Sequence, residues 1–204
     1  MDYILHIFYG ILMAYVGLIS PGMLNMTALK IRMETRTSQS LKFAIGASLI
    51  VFIQAGIALY FADFFTNNPH VIERLKIAGI VVFFGLSGFF FYLSRKKLNP
   101  KTSYTKNNFF FKGIGMSSIN MLGIPFYLGI SIFLAAKNKI LIEQPYMFLF
   151  VFGAAIGSFL LFSTYIVFAK IIIRKVSFIA KNINLILSFL FLGLGLLTIL
   201  KIVH

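Results

Sequence analysis

Six apolar stretches, roughly Tyr3–Ala28, Leu41–Phe65, Leu75–Ser94, Gly113–Ala136, Tyr146–Ala169 and Ile183–Val203, take up most of this 204-residue chain. Each meets the requirement of about 20 residues for a helix to cross the ~30 Å hydrocarbon core of a bilayer. The segments between them are short and polar, so little remains to build a soluble domain. Charge content agrees. Only 12% of residues are charged, about half the roughly 25% typical of a water-facing surface. The pattern predicts an all-α polytopic membrane protein with six transmembrane helices, a single transmembrane domain over residues 1–204. No Lys or Arg precedes the first apolar run and no small-residue cleavage site follows it, so the run reads as a retained helix.

Lys and Arg set the expected orientation. Lys30, Arg32, Arg36 and Lys42 flank the first loop, six more lie between Arg95 and Lys112, and Lys170, Arg174, Lys175 and Lys181 surround the fifth. Fourteen of the nineteen basic residues therefore fall on one side of a six-span plan. By the positive-inside rule that side is cytoplasmic and both termini face outward. The same placement accounts for the net charge of +14, because basic loops gain from an anionic inner leaflet. It predicts contact with anionic lipids and argues against nucleic acid, which would need a basic face on a folded domain. Trp is absent, leaving Tyr3, Tyr60, Tyr92 and Tyr146, near span ends, to form the interfacial belt.

Several chemistries drop out. With no cysteine there are no disulfides, thiolate zinc sites or Cys-ligated clusters. His6, His70 and His204 fall at span ends or in a loop and read as interfacial side chains. No metal site or cofactor is expected. No G-x-x-x-x-G-K-[ST] motif is present, so ATP cannot drive the chain through a P-loop of its own. No carboxylate lies inside a span. Asp63 is at the outer end of span two, and Glu34, Glu73 and Glu143 are in loops. A proton relay of embedded acids is therefore missing.

The halves resemble each other. Phe43, Gly46 and Ala47 of span two match Phe150, Gly153 and Ala154 of span five, and Phe61-Ala62 matches Phe168-Ala169. Spans three and six share Phe83, Gly85 and Leu86 with Phe191, Gly193 and Leu194, and spans one and four share Gly-Ile-x-Met at Gly10 and Gly113. Three helices per copy means that the second copy enters from the opposite side. The expected plan is an inverted 3+3 repeat, with one unit at about 1–97 and the other at about 110–204.

Paired interruptions mark the candidate site. Ser20-Pro21-Gly22 breaks span one, and Asn120 with Pro125 interrupts span four, though Pro125 falls nearer mid-span than Pro21. Breaks in hydrocarbon survive where protein or a wet cavity satisfies the freed backbone groups, and paired breaks in two halves point to a transporter site. As a packing kink each would need no function. Spacing places Ser117, Asn120, Tyr127 and Ser131 on one face, and Tyr15, Gly22 and Asn25 on another. Span two offers Gln54. The expected path is lined by Pro21, Gly22, Asn25, Gln54, Asn120 and Pro125. The Asn side chains supply donors and acceptors without fixed charge, and Gly22 is expected to allow close backbone approach. Gly10-x-x-x-Ala14 and Gly153-x-x-x-Gly157 are small-residue faces for close helix contact.

Gly17-Leu18-Ile19-Ser20-Pro21-Gly22, the short basic loop, Gly46-Ala47-Ser48 and the Asn120/Pro125 span together resemble the LysE family (LysE/RhtB type) of small amino-acid exporters. The likeness runs over essentially the whole chain. It implies a compact six-helix protein of the bacterial inner membrane that moves amino acids or other small metabolites outward on an ion gradient. The family's Pro-Gly-Pro reads Pro21-Gly22-Met23 here, and its Asn-Pro pair is split into Asn120 and Pro125. The residues alone also admit a passive small-solute channel, and no acid/base pair or nucleophile suggests an enzyme. The solute and the coupling ion are left open, and a homo-oligomer is compatible with the plan.

Overall fold

The computed structural model describes residues 3–20, 22–68, 108–120 and 122–172, together with 84, 85, 87–89, 91, 92, 94, 95, 185, 188, 189, 192, 193 and 195–200. Pro21, His70, His204 and the basic segments 96–107 and 173–184 lie outside the described residues, as does most of spans three and six. Among the described residues the chain is helical, with no strand. The helices are α1 (Tyr3–Gly17), α2 (Met23–Glu34), α3 (Thr37–Asn67), α4 (Phe109–Ile119), α5 (Gly123–Ala136) and α6 (Tyr146–Val167).

Two of these, α3 and α6, are long and apolar enough to cross a membrane. The bent pair α4 and α5 makes a third if it is counted as one span. At 15 residues, α1 reaches only about 22 Å and is short of a span by itself. The expected first span is thus two helices, and the break that proline and glycine suggested divides them. The expected first basic loop shrinks as well. Lys30 and Arg32 ride on α2, leaving only Thr35 and Arg36 before α3.

The faces of α3 are those of a helix compatible with lipid surroundings. Ser40, Ala44, Ala47, Val51, Ala55, Ala58 and Ala62 are buried at spacings of three and four, the signature of one helix face. The opposite face, Ile45, Leu49, Ile53, Ile57 and Phe64, is 40–50% exposed and wholly apolar. A soluble helix would reverse this pattern. Small and polar inside, large and apolar outside, is the arrangement of a membrane bundle.

Small residues let backbones touch. A Cβ on Gly10 of α1 would run into Phe150 O of α6 and stand 2.9 Å from Ala154 N. From the other side, Gly157 of α6 meets Ile11, with its Cα at 2.8 Å. The contact of α3 with α4 is built alike: a Cβ on Gly113 would hit Phe43 O and lie 2.9 Å from Ala47 N.

Two loop features fix the α5–α6 end. Asn138 takes φ 54°, and the Lys139 and Asn138 N–H groups donate to Leu134 O (2.9 Å) and Ala135 O (2.8 Å). This is a Schellman closure, in which Asn tolerates the left-handed position. His6 is fully buried rather than interfacial. Its Nε2 accepts the Leu141 N–H at 2.9 Å, and its ring lies 4.6 Å from that of Tyr146. The sequence placed His6 near a span end; the turn at 137–145 folds over it.

The chain divides into two compact units, one of Met1–Thr66 with Tyr104–Lys175 and one of Asn67–Ser103 with Val176–His204. Within the second, Ser87 Oγ donates to Ser188 O at 3.0 Å, and a Cβ on Gly195 would press on the Phe84 ring at 3.1 Å.

Candidate functional site

Both helix breaks lie in the first unit, and side chains donate to freed carbonyls at each. At the first, α1 ends at Gly17 and α2 begins at Met23. The Asn25 amide turns back on its own break: Nδ2 donates to Leu18 O (2.6 Å) and Ser20 O (2.7 Å). Tyr165 OH, from α6, donates to Ile19 O at 2.7 Å. Three successive freed carbonyls are thereby paired. Asn25 is 4% exposed, and its Oδ1 is buried with no partner among the described residues.

At the second break, α4 ends at Ile119, α5 starts at Gly123, and their axes differ by 65°. Gln54 Nε2, from α3, donates to both Ser117 O (3.0 Å) and Asn120 O (3.1 Å). Gln54 can come this close because residue 123 is glycine. A Cβ there would collide with Gln54 Oε1 and stand 3.0 Å from its Cδ. Pro125 occupies the first turn of α5, where a missing N–H costs no helical bond.

The two breaks abut. A Cβ on Gly17 would overlap the Phe126 ring, with Cε2 at 2.6 Å. Phe126 therefore sits directly on the end of α1, one residue beyond Pro125. Its neighbour Tyr127 is fully buried, and the Tyr127 hydroxyl has no partner among the described residues.

The expected site residues are thus partly assembled. Gln54 joins Asn120 directly, Asn25 closes the first break, and Pro125 is exposed beside the second. Pro21 lies outside the described residues. Gly22 differs from expectation. It is the N-cap of α2 with φ −72° and ψ 177°, open to any residue, and among the described residues an added Cβ would meet only Ser20 O, at 3.8 Å. The chain itself does not need glycine there. Tyr15 also departs from the expected shared face with Gly22 and Asn25, because the break puts it on a different helix. Its hydroxyl pairs with Thr164 Oγ1 at 3.0 Å.

Gly123 and Phe126 were not singled out from the sequence. The available signal was weak, a glycine and an aromatic flanking the Pro125 already chosen. Lys112, near the start of α4, lies close enough to Lys30 and Glu34 of α2 to feel both charges. Lys30 and Glu34 pair at 3.7 Å. These three charges bring the end of α2 to the start of α4. Among the described residues no group of three or more His, Cys, Asp or Glu is placed to hold a metal ion.

No protein-family model matches the chain, and no curated protein or solved structure matches it.

Proposed function

We propose that the chain is a six-helix secondary transporter of the LysE/RhtB kind, exporting amino acids or related small solutes across the bacterial inner membrane. Its halves would form an inverted 3+3 repeat, with both termini outside the cytoplasm. One observation carries the reading: the two halves exchange equivalent contacts. Gly10 of the first half packs on Phe150 and Ala154 of the second, and Gly113 of the second packs on Phe43 and Ala47 of the first. These are the pairs that the internal sequence match aligns. The breaks follow suit, each receiving a side-chain donor from the other half, Tyr165 for one and Gln54 for the other. Reciprocal exchange is what a two-fold axis between repeats produces.

The solute chemistry follows from what the breaks leave over. The first turn of α2 has no side-chain cap, and uncapped N–H groups at the positive end of a helix favour a carboxylate. The buried Asn25 Oδ1 is an acceptor for an ammonium group. Together they suit a zwitterion. Phe126 on Gly17 closes the seam between the breaks and would have to swing aside for passage. The absence of a carboxylate inside the spans keeps a passive channel as the second reading.

Export from loaded vesicles tests this. Gly22→Val has room within the fold, so the protein should insert and fold normally while transport falls at least tenfold. Asn120→Leu leaves the backbone cap at residue 120 intact and should weaken solute binding with little loss of abundance. Ser188→Leu is the control and should change export little. Normal export by both site variants would remove the proposed path. Accumulation against a gradient that collapses with an uncoupler excludes the channel. For topology, reporter fusions at His204 and Asn107 should signal outside and inside, and a cytoplasmic signal at His204 would overturn the orientation.

A further inference from the structure

A recess of about 260 Å³ opens where α6 ends, lined by Arg32 and Met33 of α2 and by Val167, Phe168, Lys170 and Ile171. It lies where the apolar run Tyr146–Ala169 gives way to basic residues, which is the depth of lipid headgroups in the membrane reading. Two cations, Arg32 and Lys170, line it, and among the described residues no carboxylate does. Helix geometry explains why the nearest acid does not neutralise Arg32. Lys30 and Glu34 are four apart and pair with each other, whereas Arg32, two residues from each, lies about 200° around the helix. The rest of the lining is apolar and open: Met33 is 46% exposed, Val167 71%, Phe168 49% and Ile171 56%.

We propose that this recess is a binding site for one anionic glycerophospholipid, its phosphate held between Arg32 and Lys170 and its acyl chains laid along Val167, Phe168 and Ile171. The volume supports a headgroup alone, since pockets that enclose a drug-sized molecule run to about 300–1,000 Å³. The rest of the ligand must lie outside, against apolar side chains, and a lipid meets that demand where a soluble phosphate does not. Arg supplies planar paired donors and Lys a mobile point charge, a combination suited to a phosphodiester. The inference rests on the membrane reading alone and holds whether or not the chain transports anything.

The test is a titration of the purified full chain in neutral detergent, counting retained lipids by native mass spectrometry. Phosphatidylglycerol should bind with one more tight site than phosphatidylcholine, and raising salt should shrink that preference. The double variant Arg32→Gln/Lys170→Gln should weaken that site roughly 30-fold, on about 1 kcal/mol per interfacial charge. Lys42→Gln, on an exposed position of α3, should leave it unchanged. Equal binding of the two lipids by the native chain, which needs no variant to fold, would overturn the proposal. So would an undiminished phosphatidylglycerol site in the double variant. Glycerophosphoglycerol, the same headgroup without chains, should not compete. Effective competition would assign the recess to a soluble phosphate compound instead.

Discussion

Gly113→Leu is expected to prevent the first unit from closing, with a loss of at least about 3 kcal/mol in stability. A Cβ at 113 already collides with Phe43 O and approaches Ala47 N at 2.9 Å. These are backbone atoms on α3, and they cannot rotate away as a side-chain tip could. Accommodating leucine means moving α4 off α3 as a body. Overpacking ordinarily costs about 1–3 kcal/mol where side chains can yield, and here none stands in the way to yield. Separation would also draw Ser117 away from Ala47, whose carbonyl accepts its hydroxyl at 3.1 Å. The control sits two residues away. Gly115 has nothing within 4 Å among the described residues, so Gly115→Leu should fold normally. The measurement is the yield of monodisperse protein and its thermal midpoint in detergent. Gly10→Leu should fail to a similar degree, because its contact with α6 is built in the same way. A Gly113→Leu protein as stable as the Gly115→Leu protein would show that the helix contact is looser than described.

How much of this was legible beforehand depends on the range of the interaction. That α3 and α6 are long and apolar enough to cross a membrane follows from their own residues, since one helix carries all the information. The break after Gly17 was legible because Pro and Gly declare it locally. Which glycines matter was not. Gly22 looked like the position of close approach, yet its surroundings are open, while Gly10 and Gly113 touch backbone. Sequence does not say which way a Cα faces in a bundle. His6 makes the same point. It sits at a span end, but a turn 135 residues further on covers it and uses its nitrogen. Asn25 and Gln54 were chosen because polar groups are costly to bury unpaired. That argument identifies the residue without naming its partner, 66 residues away in the case of Gln54 and Asn120.

Gln54→Leu is expected to release the second break and cost about 2 kcal/mol. One amide nitrogen serves both Ser117 O and Asn120 O. Ser117 O keeps a second donor, the Asn120 N–H at 3.0 Å, but Asn120 O retains only the Gly123 N–H at 3.4 Å. Leucine matches the volume and supplies no donor, so the loss falls on an acceptor in surroundings with little water. Hydrogen bonds between membrane helices average about 0.6 kcal/mol and reach about 1.7, and a poorly satisfied buried carbonyl adds to that. Gln54→Glu separates the donor from the shape. Ionised, it has nothing to give either carbonyl; protonated, it offers one O–H. Gly123→Ala attacks the same contact from the other side, because the new methyl occupies the place of the Gln54 amide. Alone it should destabilise the protein clearly; in the Gln54→Leu background, where a flexible side chain replaces the fixed amide, it should cost much less. Such non-additivity is the mark of two changes acting on one interaction. Chemical or thermal unfolding of the four proteins in one detergent measures it. If the two substitutions add within about 0.5 kcal/mol, Gly123 is not there to admit Gln54, and the second break is held by something other than this amide.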